Sequence, residues 1–214
     1  MWQRIIDDLT AYNARLVAVS KTRPIEAIEA LYEQGQRLFG ENRVQEMTDK
    51  QPLLPQDVQW HQIGHLQTNK VKYIAPFVSM IHSVDSAKVL KEINKQAARN
   101  ERSIKVLLQF KIAQEDSKYG FDMETVRQML DSEAFAQMQH VKVCGLMGMA
   151  TFTDEQEQVR AEFRQLRQYF ETLKKEYFLE KEDFVELSMG MSGDYKIALE
   201  EGSTMVRVGS LLFQ

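Results

Sequence analysis

The chain has 214 residues, of which 43% are hydrophobic and 27% charged, with 27 Lys and Arg against 31 Asp and Glu for a formal net charge of −4 at pH 7. That composition excludes a disordered chain, and its acidic balance speaks against a surface built to neutralise a nucleic-acid backbone or an anionic membrane. No window approaches the roughly 18 apolar residues of a membrane span, and Met1 to Asp8 lacks the apolar block of a signal peptide.

Along the chain, short apolar and β-branched runs alternate with longer amphipathic stretches, the pattern of repeated βα units. Eight strands are expected: Leu16 to Ser20, Arg37 to Asn42, Val58 to Gly64, Met80 to Asp85, Lys105 to Ile112, Val141 to Ala150, Phe184 to Gly190 and Met205 to Leu212. Before the fifth, Ser86 caps a helix whose stripe is Val89, Ile93 and Ala97. Between the sixth and seventh, Val159, Phe163, Leu166, Phe170, Leu173 and Tyr177 recur at steps of three and four, one apolar helix face. Only a few residues follow the eighth strand, so Trp2 to Tyr12 has to supply the helix that would cover it. Eight right-handed units close on themselves, which predicts a single-domain (β/α)8 barrel (a TIM barrel) over residues 1–214; an open doubly wound sheet is the alternative. Cys144, the one cysteine, lies in the apolar run Val141 to Met147. It can form no intramolecular disulfide, reads as a small buried hydrophobe, and fits a cytoplasmic protein.

In both architectures a ligand binds at the carboxyl ends of the strands. Lys21 directly follows the first strand and precedes Thr22-Arg23-Pro24. Taken alone it is a solvated lysine; as an amine nucleophile it needs a desolvated or cationic setting, to which Arg23 could contribute. The segment Ser188-Met189-Gly190-Met191-Ser192-Gly193-Asp194-Tyr195 puts glycines and a serine ahead of a helix expected near Asp194. Close backbone N–H groups and a hydroxyl suit a phosphate, and barrels commonly bind one with the loops after strands seven and eight. The eighth strand carries Arg207-Val208-Gly209-Ser210, and Arg207 on an apolar strand must face a partner or water. His61 and His65 have the four-residue spacing of a helical metal pair, but Gly64 and the strand reading remove the shared helical face, so no metal is expected. His82 and His140 stand alone and read as surface or satisfied core residues. The methionines, Met147, Met149, Met189 and Met191 among them, read first as barrel packing, though those at strand ends could line a flat aromatic ligand.

Several of these segments, in order, resemble the YggS/PROSC family of pyridoxal phosphate homeostasis proteins, which share the N-terminal barrel of alanine racemase. The resemblance runs nearly end to end. It rests on Leu16 to Pro24, Phe39-Gly40-Glu41-Asn42, His61 to Lys70, Ser117-Lys118-Tyr119-Gly120, Gly145-Leu146-Met147, Leu187 to Ser192, and Gly202 to Gly209. It implies pyridoxal 5′-phosphate (PLP) as cofactor, held as a Schiff base on Lys21, with Ser192, Gly193, Gly209 and Ser210 on the phosphate. It places Arg207 opposite the pyridine nitrogen, where an arginine keeps the nitrogen unprotonated and weakens the cofactor as an electron sink. Asn42, His61 and Met147 would lie near the ring. The departures from the family pattern are a short segment before Lys21, Gln62 where an aromatic residue is more usual, and the end at Phe213-Gln214.

The implied function is a cofactor carrier or regulator in intracellular PLP homeostasis, not an enzyme, with PLP-dependent apoenzymes as recipients and a monomeric state. The competing reading is an amino-acid racemase on the same barrel. Such a racemase needs a second acid–base group opposite the lysine, for which Tyr119, Tyr195 or His61 would have to serve. A phosphate-binding barrel enzyme without PLP leaves Lys21 and Arg207 without a task, and a nucleic-acid module lacks a basic stripe.

Overall fold

A computed structural model describes residues 2–114 and 119–213. Eight parallel strands close into a barrel in chain order: β1 (Arg15–Val19), β2 (Leu38–Glu41), β3 (Gln59–Gln62), β4 (Met80–Val84), β5 (Ile104–Gln109), β6 (Val141–Met147), β7 (Glu186–Ser188) and β8 (Met205–Val208). Closure is made by β1 against β8, with Leu16 beside Val206 and Val17 beside Arg207. The helices are α1 (Trp2–Ala11), α2 (Ile25–Glu33), α3 (Val44–Lys50), α4 (Val71–Ile74), α5 (Ala87–Arg99), α6 (Met123–Leu130), α7 (Glu133–Ala136), α8 (Gln156–Tyr177) and α9 (Tyr195–Glu200).

All eight expected strands are present, and each stops short of its expected end. The sixth ends at Met147 rather than Ala150, and the eighth at Val208 rather than Leu212. The apolar residues beyond those ends line a cavity or cover α1 instead of continuing the ladder. The helical expectations hold. Ser86 caps α5 by accepting from the Val89 N–H, and α8 buries Val159, Phe163, Leu166 and Leu173. The N-terminal α1 packs Ile5 and Leu9 against Leu16, Val206, Val208 and the α9 residues Tyr195 and Leu199, taking the place of a helix after β8.

Alternation along the strands divides the wall into two faces. Outward residues such as Phe39, Trp60, Ile81, Val106 and Leu187 pack under the helices in the main core. Inward, Val17, Met80, Leu107, Cys144, Met147 and Met205 form an apolar plug, with Leu38 and Ile63 against it. Burial pushes the Cys144 thiol up to about 11, so it stays a protonated, inert core side chain.

Candidate functional site

The carboxyl ends of the strands open into a cavity of ≈ 760 Å³. Its wall includes Val19 and Lys21 after β1, Asn42 after β2, Ile63 to His65 after β3 and Gln109 at the end of β5. The loops beyond β6 and β7 add Met149 to Asp154 and Met191 to Asp194, and β8 supplies Arg207, Gly209 and Ser210.

Lys21 sits on a turn held from below. Lys50 of α3 donates to the Ser20 carbonyl at 2.8 Å, to Glu41 Oε1 at 2.9 Å and to Glu46 Oε1 at 2.6 Å, which uses all three ammonium protons. Ser20 Oγ donates to Glu41 Oε1 at 2.7 Å, and the Thr22 N–H donates to Glu46. Thr22 has φ of +62°, a left-handed conformation that a β-branched residue avoids. The Glu46 carboxylate and the turn hold it there. Burial raises the Glu41 carboxyl above its ordinary value, while Ser20 and Lys50 pull it back.

On the other side, two chain segments meet. The Ser192 hydroxyl oxygen faces the Gly209 N–H at 3.4 Å. A side chain on Gly209 would stand 2.9 Å from the Val19 carbonyl oxygen, so only glycine lets β8 approach β1 there, whereas a side chain on Gly193 would meet nothing within 4 Å. Asp194 accepts from the Met191 N–H, which shapes the loop, and burial raises its carboxyl above the usual value. Since α9 has only six residues, this wall offers backbone N–H groups and the Ser192 and Ser210 hydroxyls rather than a long helix dipole.

Arg207 enters from β8, 4% exposed. Nη1 donates to Ser188 Oγ at 2.6 Å and Nη2 to the Gly148 carbonyl at 3.0 Å. Burial pulls its guanidinium down to about 10 while Asp194 pushes it back up, so it remains a cation at neutral pH. Two of its five N–H groups are thereby spent, and the residue lines the cavity.

The structure thus brings Lys21, Asn42, Ser192, Gly193, Arg207, Gly209 and Ser210 to one cavity wall. His61 and Met147 are elsewhere, at 3% and 0% exposure. His61 lies one inward step below Ile63 on β3, and Ile63 is the residue that reaches the cavity; Met147 is part of the apolar plug. Of the sequence motifs, Ser117 and Lys118 fall outside the described residues. Sequence reasoning missed Thr151, whose N–H and hydroxyl are both held by the buried Glu162 of α8, at 2.7 and 2.8 Å. It also read His82 as solitary. His82 is fully buried inside the barrel, with Nε2 2.9 Å from His61 Nδ1 and Nδ1 2.9 Å from Ser188 Oγ. The available signal was the inward period of β4, which puts residues 80 and 82 on one face. His65, by contrast, pairs with Asp85 at 2.9 Å and stacks on Tyr119, well apart from His61 in direction and setting. Among the described residues no three His, Cys, Asp or Glu side chains converge as a metal site, and no helix is long and apolar enough to cross a membrane.

Comparison with known proteins decides the lineage. The alanine racemase N-terminal domain model matches residues 2–214. The pyridoxal phosphate homeostasis protein of Aquifex aeolicus is 41% identical over 201 residues, covering 94% of this chain and 86% of that one. This chain belongs to the pyridoxal phosphate homeostasis protein family. The human member is 37% identical over 224 residues, 96% of this chain and 78% of its own. Among solved structures, PipY of Synechococcus elongatus with PLP bound superimposes with a TM-score of 0.86 at 36% identity, covering 98% of this chain and all of that one. Alanine racemase of Clostridium difficile in complex with cycloserine matches with a TM-score of 0.75 at 12% identity, which shows the shared barrel alone, over 57% of its length.

Proposed function

We propose that this chain binds pyridoxal 5′-phosphate, anchored covalently on the Lys21 amine, and serves PLP homeostasis as a carrier or regulator of the cofactor. The observation that carries this reading is the single cavity that joins Lys21 to Arg207 and to the Ser192-Gly193 and Gly209-Ser210 segments. The residues fit the group. Gly193 borders open space and Gly209 admits no side chain, so backbone N–H groups and two hydroxyls can approach a phosphate, while Lys21 can condense with an aldehyde, losing water. Asn42 would flank the ring; His61 and Met147 would support it from beneath rather than touch it.

Bound PLP supplies an aldehyde and an electron-withdrawing ring. Arg207, a donor only, would face the ring nitrogen as an acceptor and hold it unprotonated, which disfavours carbanion chemistry and suits holding over turnover. Of the three groups that could act as a racemase's second acid–base residue, Tyr195 is bonded to Asp8 at 2.8 Å between α1 and α9, and His61 is buried below the cavity. Only Tyr119 lines it. The withdrawal of two of the three, with Arg207 as the ring-nitrogen partner, supports a non-enzymatic reading, and we propose a single PLP-binding barrel domain over residues 1–214. We assign it to the cytoplasm as a monomer, with PLP-dependent apoenzymes as recipients.

The test is the absorbance spectrum of the purified protein with added PLP, before and after borohydride reduction, followed by peptide mapping. A near-visible band that reduction removes and fixes on Lys21, and that Lys21→Ala abolishes, is the expected result. A protein that stays colourless overturns the reading. Amino-acid racemisation above that of free PLP, lost in Lys21→Ala, would overturn its non-enzymatic part.

A further inference from the structure

Inside the barrel, a column of four side chains leads from the cavity wall into the interior: Arg207, Ser188, His82 and His61, joined by contacts of 2.6, 2.9 and 2.9 Å. All four are buried, at 4%, 0%, 0% and 3% exposure. The direction of its protons follows from donor accounting. Arg207 can only donate, so Ser188 Oγ accepts from it. Ser188 has one hydroxyl proton, and among the described residues its other polar neighbour is His82 Nδ1. If His82 carried its proton on Nδ1, the Ser188 hydroxyl would be a buried donor with no acceptor, an arrangement that folded proteins avoid. Ser188 therefore donates to His82 Nδ1, His82 is protonated on Nε2 and donates to His61 Nδ1, and His61 is protonated on its own Nε2.

We propose that Ser188 and His82 are positioning residues for Arg207: the one-way column presents only an oxygen to the guanidinium, clamping it so that its remaining N–H groups face the cavity as donors. The role of those donors toward PLP rests on the function proposed above; the order of the column does not. Both imidazoles stay neutral. Burial, with Arg15 and Lys105 on the inward face below, pushes His61 down to about 3; burial, with His61, Arg207 and Arg15, pushes His82 well below its ordinary value; Glu186, the acid at the lower end, is paired with Arg15. The one acid facing the column from the cavity side is Asp194, which acts on Arg207. A column that is neutral at neutral pH orients the guanidinium without itself becoming charged.

The first test needs no cofactor and no variant: nitrogen-15 histidine NMR of the unliganded protein across pH 5 to 9. His82 should show an unprotonated Nδ1 and a protonated Nε2 throughout. A proton on Nδ1, or titration within that range, overturns the proposal. The second test compares wild type, Ser188→Ala and Ser188→Thr with PLP. Ser188→Ala should still give the reduced Lys21 adduct, with Kd raised about tenfold, roughly the loss of one good hydrogen bond, and with the pH midpoint of the bound band displaced. Ser188→Thr, which keeps the hydroxyl, should restore both. Equal Kd and band midpoint in Ser188→Ala and wild type overturn the proposal. Absence of any adduct in wild type instead defeats the PLP reading and leaves the NMR result to decide the column.

Discussion

Two buried polar networks lie on opposite faces of the barrel wall, one on β2 and α3 and the other on β3, β4, β7 and β8, and meet the cost of burial by opposite means. On the outer side of the wall, Glu41 and Lys50 form an ion pair at 2.9 Å, with side-chain exposures of 0% and 9%, and Ser20 and Glu46 complete the lysine's bonding. Inside the barrel, His61 and His82 remain uncharged and are satisfied by hydrogen bonding. The outer network keeps its charges because each has an opposite charge in contact. The inner column has Arg207 at one end and the Arg15–Glu186 ion pair on the inward face at the other, and among the described residues no carboxylate contacts either imidazole, so a proton added there would be unpaired. The first network holds the turn that carries Lys21; the second holds Arg207. The two sides of the cavity are therefore set by devices that respond differently to pH and to mutation.

Acid should separate them most strongly. His61 has a folded-state value of about 3 against an ordinary 6.5, so the unfolded chain takes up its proton first. The stability linked to its neutrality is intact above pH 6.5 and is lost as pH falls from 6.5 toward 3, about 5 kcal/mol across the whole interval. Urea unfolding at a series of pH values should show this slope, and His61→Gln should reduce it, the remainder belonging to His82; an unchanged slope would mean that His61 is not buried neutral. Glu41, raised by burial, runs the other way: its burial becomes easier as pH falls through its folded-state value.

Lys50→Ala should come next, at about 3–5 kcal/mol at neutral pH, because it strands the Glu41 carboxylate inside the wall. Its deficit should shrink in acid as that carboxyl protonates. Replacing both partners, Lys50→Met with Glu41→Leu, should recover most of the loss in the same urea experiment. If the double variant is no better than the single, the pair was not the source of the cost. The smallest effect belongs to Glu46→Gln, whose side chain is 21% exposed. It weakens a charge-assisted bond to the Thr22 N–H and should cost about 1 kcal/mol or less of stability. Under the proposed function it would still loosen the Lys21 turn enough to speed PLP release, measured by exchange into an excess of apoenzyme.

The barrel was readable in the sequence because its wall is repetitive: eight β-branched runs, each followed by a segment that needs a partner for its apolar stripe. The most visible errors lie at the carboxyl ends of the strands. Met149 and Ala150 look like strand residues, yet they line the cavity, and hydrophobicity alone does not separate a residue that faces a ligand space from one that faces the core. Most of the cavity wall was readable too, since Lys21, Asn42 and the two glycine-serine segments each follow a strand and Arg207 lies within the last one, and the ends of parallel strands converge in any closed barrel.

What the chain's order determined by itself was therefore the element count, the apolar faces and the residues delivered to the mouth of the barrel, all consequences of local periodicity and strand direction. Tertiary structure alone decided which side chains meet across strands. His82 lies 21 positions from His61 and 106 from Ser188, and Lys50 reaches back 30 positions to the Ser20 carbonyl. Such contacts depend on register, shear and the inward or outward phase of each strand, which are fixed only when the sheet closes.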